Sequence, residues 1–291
     1  MFTKGMPSLP VQSMYGAFAA LWENGIQTDF INVDRAVEGY LANYKACFAP
    51  CLFVAEKELV DAFKTFVKNG GHLFTDALSG SVNEKMEYSI IPCNGLDKLM
   101  LYRNHFSLLE EKPEFTMTKD YGSTKAGKSF SGLSYIEEVE PLQGAQVLAE
   151  FKNKQPAAVS AKMGKGETMH VGTDLARAYF LNKEPSIAKM IVDFAKMAGT
   201  KPFATVSNLK PEESRLLEVA LLGNEKTQIA FLLNANANEI HPKINVTNMP
   251  EKAKIIDVLA EKNIGLTNFP KEFETSIEPF DVKVIVIKPG T

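Results

Sequence analysis

The sequence predicts an α/β fold, in which a parallel sheet carries helices on both faces and is followed by a small antiparallel β-sandwich. Near the start of the chain, a short apolar strand at 44–49, an amphipathic helix at 56–69 and a second apolar strand at 72–75 follow one another. Strand, helix and strand in this order are typical of a parallel sheet. After residue 203 short strands separated by turn residues replace the helical pattern. A chain of 291 residues is long enough for two domains, which we place at 1–203 and 204–291.

Four helices are predicted in the first domain. Apolar residues at helical spacing indicate a helix at 13–24, which Ser13 caps and which turns Tyr15, Phe18 and Trp22 towards the core. A short polar helix is expected at 34–41. The helix at 56–69 and the helix at 185–197 each have one apolar stripe. The residues expected in these two stripes are Leu59, Val60, Ala62, Phe63, Phe66, Val67, Ile187, Met190, Ile191, Phe194 and Met197.

The remaining segments are predicted mainly as strands. A hairpin is expected where Gly164 and Gly166 separate two apolar runs, because glycine adopts the positive φ that tight turns require. Short helical pieces are expected at 95–110, and no helix is expected after residue 203. The other predicted strands of the two domains are 26–33, 114–118 at a sheet edge, 145–151, 157–162, 167–172, 216–222, 228–233, 243–246, 254–259 and 282–287.

Composition excludes several classes of function. A net charge of −3 provides no basic surface for nucleic acid. Three cysteines do not form an even disulfide framework and indicate buried thiols in a reducing compartment. Residues 1–10 contain no apolar run that would act as a secretory signal, and no segment approaches 18 consecutive apolar residues. We therefore expect a cytoplasmic protein that does not span a membrane.

Several motifs, in order, resemble one family of glycosidases. Residues 20–30 read ALWENGIQTDF, similar to the pattern alWeaGi.vDf of glycoside hydrolase family 42 β-galactosidases. Further similarities are Ala49-Pro50 with the helix that follows, the run 66–71, the hairpin at 164–166 leading to 171–173, and the strand 280–285. Together they cover nearly the whole chain.

The resemblance implies a division of labour. In that family a catalytic (β/α)₈ barrel precedes a trimerisation domain with a flavodoxin-like, class I glutamine amidotransferase-like fold, and a small β-sandwich ends the chain. The two catalytic glutamates lie in the barrel, which alone requires roughly 250 residues. The chain begins where the second domain is expected, so no residue here inherits either catalytic role. The resemblance implies a homotrimer, with a catalytic barrel domain as a further partner.

The turn after the strand 72–75 is where related catalytic folds place a nucleophile. Here it reads Asp76-Ala77-Leu78-Ser79-Gly80, without a thiol. Cys47 and Cys51 flank the end of an earlier strand, and Cys93 follows a proline. We interpret all three as buried or incidental thiols.

Other candidate groups have structural interpretations too. His72 and His170 lie in strands that we expect to be neighbours, whereas His105 and His241 are isolated. The Cys47–Cys51 spacing has no second pair to complete a zinc site. The acidic cluster Glu137, Glu138 and Glu140 is interpreted as solvated surface, and Asp76 and Asp174 are expected near strand ends. Gly164-Lys165-Gly166 is interpreted as a turn and not as a phosphate loop. The aromatic residues Tyr15, Phe18 and Trp22 are candidates for an oligomer contact.

We therefore expect no catalytic, cofactor-binding or metal-binding residue, and no cofactor. The first hypothesis is a non-catalytic assembly module of a family 42-like β-galactosidase. A cysteine-dependent amidotransferase-like hydrolase is the second. The third is a carbohydrate-binding module that uses the C-terminal sandwich, whose aromatic residues are Phe231, Phe269, Phe273 and Phe280. Fold alone does not decide among them.

Overall fold

The computed structural model describes residues 8–88, 90–224, 226–247, 252–268 and 272–290. Within these residues the chain divides into two compact units. The first is formed by Met1–Leu21 with Thr28–Thr200, and the second by Trp22–Gln27 with Lys201–Thr291. The division at Thr200 lies close to the boundary predicted from sequence, and the assignment of 1–203 and 204–291 as domains remains a prediction.

The first unit contains both helices and strands, and strands dominate the second. The helices are α1 (Leu9–Trp22), α2 (Val33–Val37), α3 (Lys57–Lys68), α4 (Leu96–Met100), α5 (Leu175–Asn182), α6 (Pro185–Met197) and α7 (Pro211–Arg215), with a 3-10 helix at Tyr40–Asn43. The strands are β1 (Ala46–Phe48), β2 (His72–Asp76), β3 (Tyr102–Leu109), β4 (Glu114–Met117), β5 (Ser129–Ser131), β6 (Tyr135–Pro141), β7 (Gln146–Phe151), β8 (Pro156–Met163), β9 (Gly166–Val171), β10 (Ala204–Ser207), β11 (Leu217–Gly223), β12 (Gln228–Asn234), β13 (Lys243–Val246), β14 (Lys252–Asp257), β15 (Lys262–Asn268), β16 (Glu272–Glu274) and β17 (Val282–Pro289). None of the described helices combines the length and the apolar composition needed to cross a bilayer.

The main sheet of the first unit is mixed. Its order is β1-β2-β9-β8-β7-β4-β5, and only the neighbours β1, β2 and β9 are parallel. The parallel flavodoxin-like sheet expected from sequence is therefore not confirmed. The physical reason lies in the connections, because the predicted hairpin joins β8 to β9 through a turn at Gly164 (φ 63°), which is too short for a parallel crossover.

Helices cover both faces of the parallel part of the sheet, as predicted. On β2, Leu73 belongs to the core cluster that contains the stripe of α3. The next residue, Phe74, points to the opposite face and packs edge-to-face on Phe194 of α6, with ring centroids 5.6 Å apart. The alternation along one buried strand thus supplies two hydrophobic layers. Met197, expected inside, is half exposed.

The apolar face predicted for α1 is wrong. The helix begins at Leu9, so Ser13 lies inside it and donates to the carbonyl of Leu9 instead of capping the start. Its buried stripe consists mainly of small residues, and Tyr15 is exposed. A Cβ at Gly16 would lie 1.9 Å from the carbonyl oxygen of Ala176, so backbone contact with α5 selects the small residues.

Four other predictions are corrected. The strand expected at 26–33 is an irregular segment, and the Asn32 side chain accepts from the Arg35 amide to start α2. The helical pieces expected at 95–110 are α4 followed by strand β3. Strand β4 lies inside the sheet, because β5 pairs on its outer side. The second unit contains the short helix α7.

The second unit is antiparallel, as predicted. A sheet of order β11-β12-β17-β14-β15 and a sheet of order β10-β13-β16 contribute side chains to one hydrophobic cluster. Strands β11 and β12 pair antiparallel, from Leu217 with Asn234 to Gly223 with Gln228. Two sheets that share one core are the arrangement expected of a β-sandwich.

Candidate functional site

The turn after β2 has the strained geometry of a nucleophile turn but an apolar tip. Leu78 has φ of 67°, in the left-handed region that residues other than glycine rarely adopt. Its amide donates to Glu137 Oε1 over 2.7 Å. Gly80 also has positive φ, and a Cβ there would lie 2.5 Å from Cβ of Pro92. The backbone at this turn is therefore held tightly, and it presents a leucine where attack by a side chain would require a hydroxyl or thiol.

A buried chain of polar groups starts at the same carboxylate. Glu137 Oε2 lies 2.8 Å from His170 Nε2, and His170 Nδ1 lies 3.0 Å from the Thr75 hydroxyl. The side chains of Glu137 and His170 are almost completely inaccessible. His170 and Thr75 are paired across β9 and β2, which confirms that the strands carrying His72 and His170 are neighbours. His170 is therefore a hydrogen-bonded sheet histidine.

The two-stranded ribbon β3–β6 lies over this chain of polar groups. Tyr102 of β3 stacks on the imidazole of His170, with ring centroids 3.9 Å apart. The Ser107 hydroxyl lies 3.5 Å from Glu137 Oε1, and it also accepts from the Asn104 amide group over 3.1 Å. Burial raises the pKa of Tyr102, and the nearby Glu137 raises it further. The ribbon thus seals the polar groups from solvent.

Asp76 connects three segments of the first unit. Its Oδ1 accepts from the amide of Cys51 over 2.7 Å, and its Oδ2 accepts from the amide of Ala176 over 3.0 Å. Ala176 lies in the first turn of α5, so this carboxylate satisfies one of the free amides at that helix start. Burial, and then the neighbouring Asp174, raise the pKa of Asp76. The residue works as a cap supplied by a distant strand.

Asp174 lies beside it and carries an ion pair. Its Oδ2 lies 3.2 Å from Nη1 of Arg177, and Arg177 also donates to the Gln12 side chain over 2.7 Å and to the Ser134 hydroxyl over 2.9 Å. Burial raises the pKa of Asp174 to about 6, although Arg177 acts in the opposite direction. Asp174 Oδ1 is buried without a hydrogen-bond partner.

The cysteine closest to these acids is the reverse of an activated nucleophile. Cys51 has φ of 49° and is 3% exposed. Burial raises its thiol pKa, and Asp76, Asp174 and Glu137 raise it further. Reactive cysteines need a lowered pKa and solvent access. Burial also raises the pKa of Cys47, to about 12, and that of Cys93.

The remaining sequence candidates are dispersed. Of the predicted acidic surface cluster, only Glu140 is exposed, and it pairs with His105 over 2.8 Å. Glu138 is half buried, and Glu137 is buried, which corrects its interpretation as solvated surface. His241 faces Glu239 at 3.8 Å. Among the described residues, no three His, Cys, Asp or Glu side chains are placed to hold a metal ion.

The sequence indicates Asp76, Asp174 and His170 as candidate residues, but it does not indicate the residues that connect them. Thr75 reads as an ordinary strand residue, Tyr102 falls in the short helical pieces expected at 95–110, and Arg177 lies in a segment for which no element was predicted. No local signal marks them, because their partners come from distant parts of the chain. The assembled group contains three acids, but each acid already accepts hydrogen bonds from the protein. The geometry is that of a structural junction. We use this name for the group formed by Thr75, Asp76, Glu137, His170, Asp174 and Arg177.

Most of the exposed large apolar side chains of the same unit lie in two stretches of the chain, 14–40 and 88–109. We call Tyr88, Ile90, Phe106, Leu108 and Leu109 the ribbon patch, and Met14, Tyr15, Phe30, Val33, Val37 and Tyr40 the helix patch. Of the aromatic residues predicted for an oligomer contact, Tyr15 is exposed and belongs to the helix patch. Phe18 is half buried and stacks on Phe30, with centroids 4.8 Å apart. Trp22 is half buried and lies 6.2 Å from the ring of Phe203. Clustered exposed apolar groups mark sites of association.

Comparison with known proteins assigns the chain to a family. A sequence model described as "Beta-galactosidase trimerisation domain" matches residues 10–183, which is more than half of the chain. The chain belongs to this trimerisation-domain family. The resemblance to family 42 β-galactosidases is thereby confirmed, and the matched range contains the junction and both patches.

Individual relatives agree with this assignment. Beta-galactosidase LacZ from Heyndrickxia coagulans is 26% identical over 230 residues, which is 77% of this chain and 31% of that protein. The solved beta-galactosidase from Bacillus circulans sp. alkalophilus has a TM-score of 0.76 at 21% identity, covering 98% of this chain and 38% of that one. The GH42 beta-galactosidase Gan42B from G. stearothermophilus has a TM-score of 0.74 at 18% identity, covering 99% and 37%. These solved structures show a shared fold, and the chain spans between 31% and 38% of the length of these three proteins.

Proposed function

We propose that this chain is the non-catalytic assembly portion of a GH42-type β-galactosidase and that it self-associates as a homotrimer. The observation that carries the proposal is the turn at Leu78. It retains a strained backbone beside a histidine and an acid, yet its tip is apolar, and Glu137 and Asp76 accept hydrogen bonds from backbone amides. The matching family is described as a trimerisation domain, which supports a role of this scaffold in assembly instead of catalysis.

The parallel strands β1, β2 and β9 support an origin of the first unit in a flavodoxin-like, class I amidotransferase-like fold, to which the antiparallel strands were added. We assign residues 1–203 to this trimerisation-type domain and 204–291 to the β-sandwich. The relatives are named β-galactosidases, so the assembled protein would act in carbohydrate metabolism through a catalytic barrel domain as partner.

Sedimentation velocity on the purified 291-residue chain tests self-association. We expect a species of three times the 32.1 kDa chain mass at micromolar concentration. A strict monomer at high micromolar concentration would contradict the proposal. We also expect no hydrolysis of a chromogenic β-galactoside, because glycosidases need two carboxylates about 5–9.5 Å apart in an open cleft and the acids here are buried. Turnover that survives repurification would refute the non-catalytic assignment.

The cysteine-hydrolase alternative receives no support, since no thiol occupies the turn and burial raises the pKa of all three cysteines. For the carbohydrate-binding alternative, Phe280 is exposed, Phe231 is partly exposed and Phe273 is buried. Phe269 lies outside the described residues. We therefore keep assembly as the proposed function.

A further inference from the structure

The ribbon patch lies on an open strand edge. A bridge between Ile91 and Asn104 brings the segment that carries Tyr88 and Ile90 alongside β3. On its other side β3 pairs with β6, and among the described residues no further strand joins this two-stranded sheet. Leu109 is 81% exposed and Tyr88 is 72% exposed. An exposed apolar edge strand is a ready template for association.

The ribbon has two unlike sides. Ser107 and Tyr102 face the buried junction through Glu137 and His170. The pairing of β3 with β6 shifts register between Asn104 and Ser107, and beyond this irregularity Phe106 and Leu108 flank Ser107 and are about half exposed. A two-stranded ribbon is marginally stable unless further packing supports it. The junction supports one side, and the other side is left for a partner.

The helix patch is a separate apolar surface of the same unit. Phe30 packs edge-to-face on Tyr15, with ring centroids 5.8 Å apart, and is itself half exposed. Val33 and Val37 are four residues apart on α2 and therefore lie on one face of that short helix. The side chains that form this patch come from α1, α2, the segment between them and the 3-10 helix Tyr40–Asn43.

A trimer with threefold symmetry needs two different surfaces on each subunit. In a cyclic assembly of three subunits the contact is heterologous, so one surface of a copy meets a different surface of the next. The first unit carries two such groups of exposed apolar side chains, on different elements. Charges border both of them, with Arg35 and Glu38 beside the helix patch and Glu111 and Lys112 beyond the ribbon patch. The border of each patch therefore carries a positive and a negative side chain, which can form ion pairs across a contact.

We propose that the ribbon patch of one copy docks on the helix patch of the next, and that three such contacts close the trimer. This assignment rests on the proposed function, because a second copy is the partner that the trimerisation-domain family provides. Both patches lie inside the matched range of 10–183, whereas other exposed leucines, such as Leu222 and Leu259, lie outside it.

The test uses two variants of the full chain and one matched control. The ribbon variant is L108T/L109E, which keeps a β-branched residue in the strand. The helix variant is M14E/V33E, in which the second change adds an acidic residue to the first turn of α2, where the helix dipole favours it. The control is L222T/L259E, at second-unit positions that are 62% and 64% exposed. Far-UV circular dichroism shows that each variant is folded, and Y88S/F106S replaces the ribbon variant if it is not.

Sedimentation velocity then distinguishes the arrangements. We expect wild type and control to be trimers, and each variant alone to be a monomer at the same concentration. An equimolar mixture of the two variants should form heterodimers, because each supplies the surface that the other lacks. No closed ring is possible in the mixture, so it should not reach the trimer.

Each contrary result has a separate meaning. A monomeric wild type would remove the proposed function and this inference with it. A trimeric wild type whose variants also remain trimers would overturn only the assignment of the patches. Monomeric variants whose mixture stays monomeric would overturn the head-to-tail pairing, and a control that dissociates as readily as the variants would overturn the location.

Discussion

Replacing Asp76 with alanine tests whether the buried acids are structural. Asp76 Oδ1 and Oδ2 accept from the amides of Cys51 and Ala176, at 2.7 and 3.0 Å. Alanine would leave both buried N–H groups without this acceptor. One of them belongs to the turn after β1 and the other to the first turn of α5. The substitution should therefore loosen two segments far apart in sequence.

The magnitude follows from the two lost acceptors. A buried donor without a partner costs about 1–3 kcal/mol, so two cost about 2–6 kcal/mol. Part of this is offset, because burial and Asp174 raise the pKa of Asp76 and the ionised carboxylate is itself unfavourable. We expect the first unit to lose about 2–4 kcal/mol of unfolding free energy near neutral pH. The loss should be larger in mild acid, where the wild-type carboxyl is protonated more readily.

Urea unfolding measures this loss with an internal reference. The single tryptophan, Trp22, belongs to the second unit, so its fluorescence reports that unit while far-UV circular dichroism reports both. The part of the dichroism change that comes from the first unit should move to lower urea concentration. The fluorescence transition, which comes from the second unit, should stay at the same urea concentration. Hydrogen exchange should also increase in α5.

Asp120→Ala is the matched control. Asp120 also accepts a backbone amide, from Ala126 over 2.9 Å, but its side chain is 55% exposed. Water can replace the lost carboxylate there, so the cost should be much smaller than that of Asp76→Ala. If Asp76→Ala costs no more than Asp120→Ala, the carboxylate does not hold the junction together and the reasoning is refuted.

Two further predictions concern titration of the same region. The folded-state pKa of Asp174 is raised to about 6 from a usual value of 3.8, so the stability that its protonation provides is present below about pH 4 and is lost as the pH rises through 6. This loss of unfolding free energy is on the order of 2–3 kcal/mol between pH 4 and pH 7. In Asp174→Asn the unfolding free energy should fall less over the same pH range, and a fall as large as in the wild type would contradict the prediction. The cysteines should react with a disulfide reagent at pH 8 more slowly than glutathione in the folded protein and at the rate of free thiols in urea, because burial raises each thiol pKa. A fast-reacting Cys51 would revive the hydrolase hypothesis.

Local patterns predicted the elements that depend on local physics. Helices α3 and α6 carry strong apolar stripes, and α6 begins at Pro185, so their positions were predicted to within a residue. The hairpin at Gly164 was predicted from its turn glycines. The same hairpin also contained the information that the sheet is mixed, because a short turn can only return the chain antiparallel.

The features that sequence missed depend on distant partners. Helix α5 is capped by Asp76, about a hundred residues away, and has no acidic residue in its own first turn. The small-residue stripe of α1 depends on the carbonyl of Ala176. Glu137 resembles surface because Glu138 and Glu140 are its neighbours in sequence. It is buried because β6 hydrogen-bonds to the end of β9, where the Glu137 amide donates to Gly172 over 2.9 Å.

In the proposed function, the junction would serve assembly by holding the ribbon in place. Glu137 binds the amide of Leu78 on one side and meets Ser107 of the ribbon on the other, while His170 stacks under Tyr102. The outer side of that ribbon carries the ribbon patch. Buried polar groups that are hydrogen-bonded to one another favour a single geometry, because a rearrangement would break these bonds in a low-dielectric interior. A rigid inner side therefore holds the apolar outer side in one orientation, which is what a ring of three copies requires of each contact.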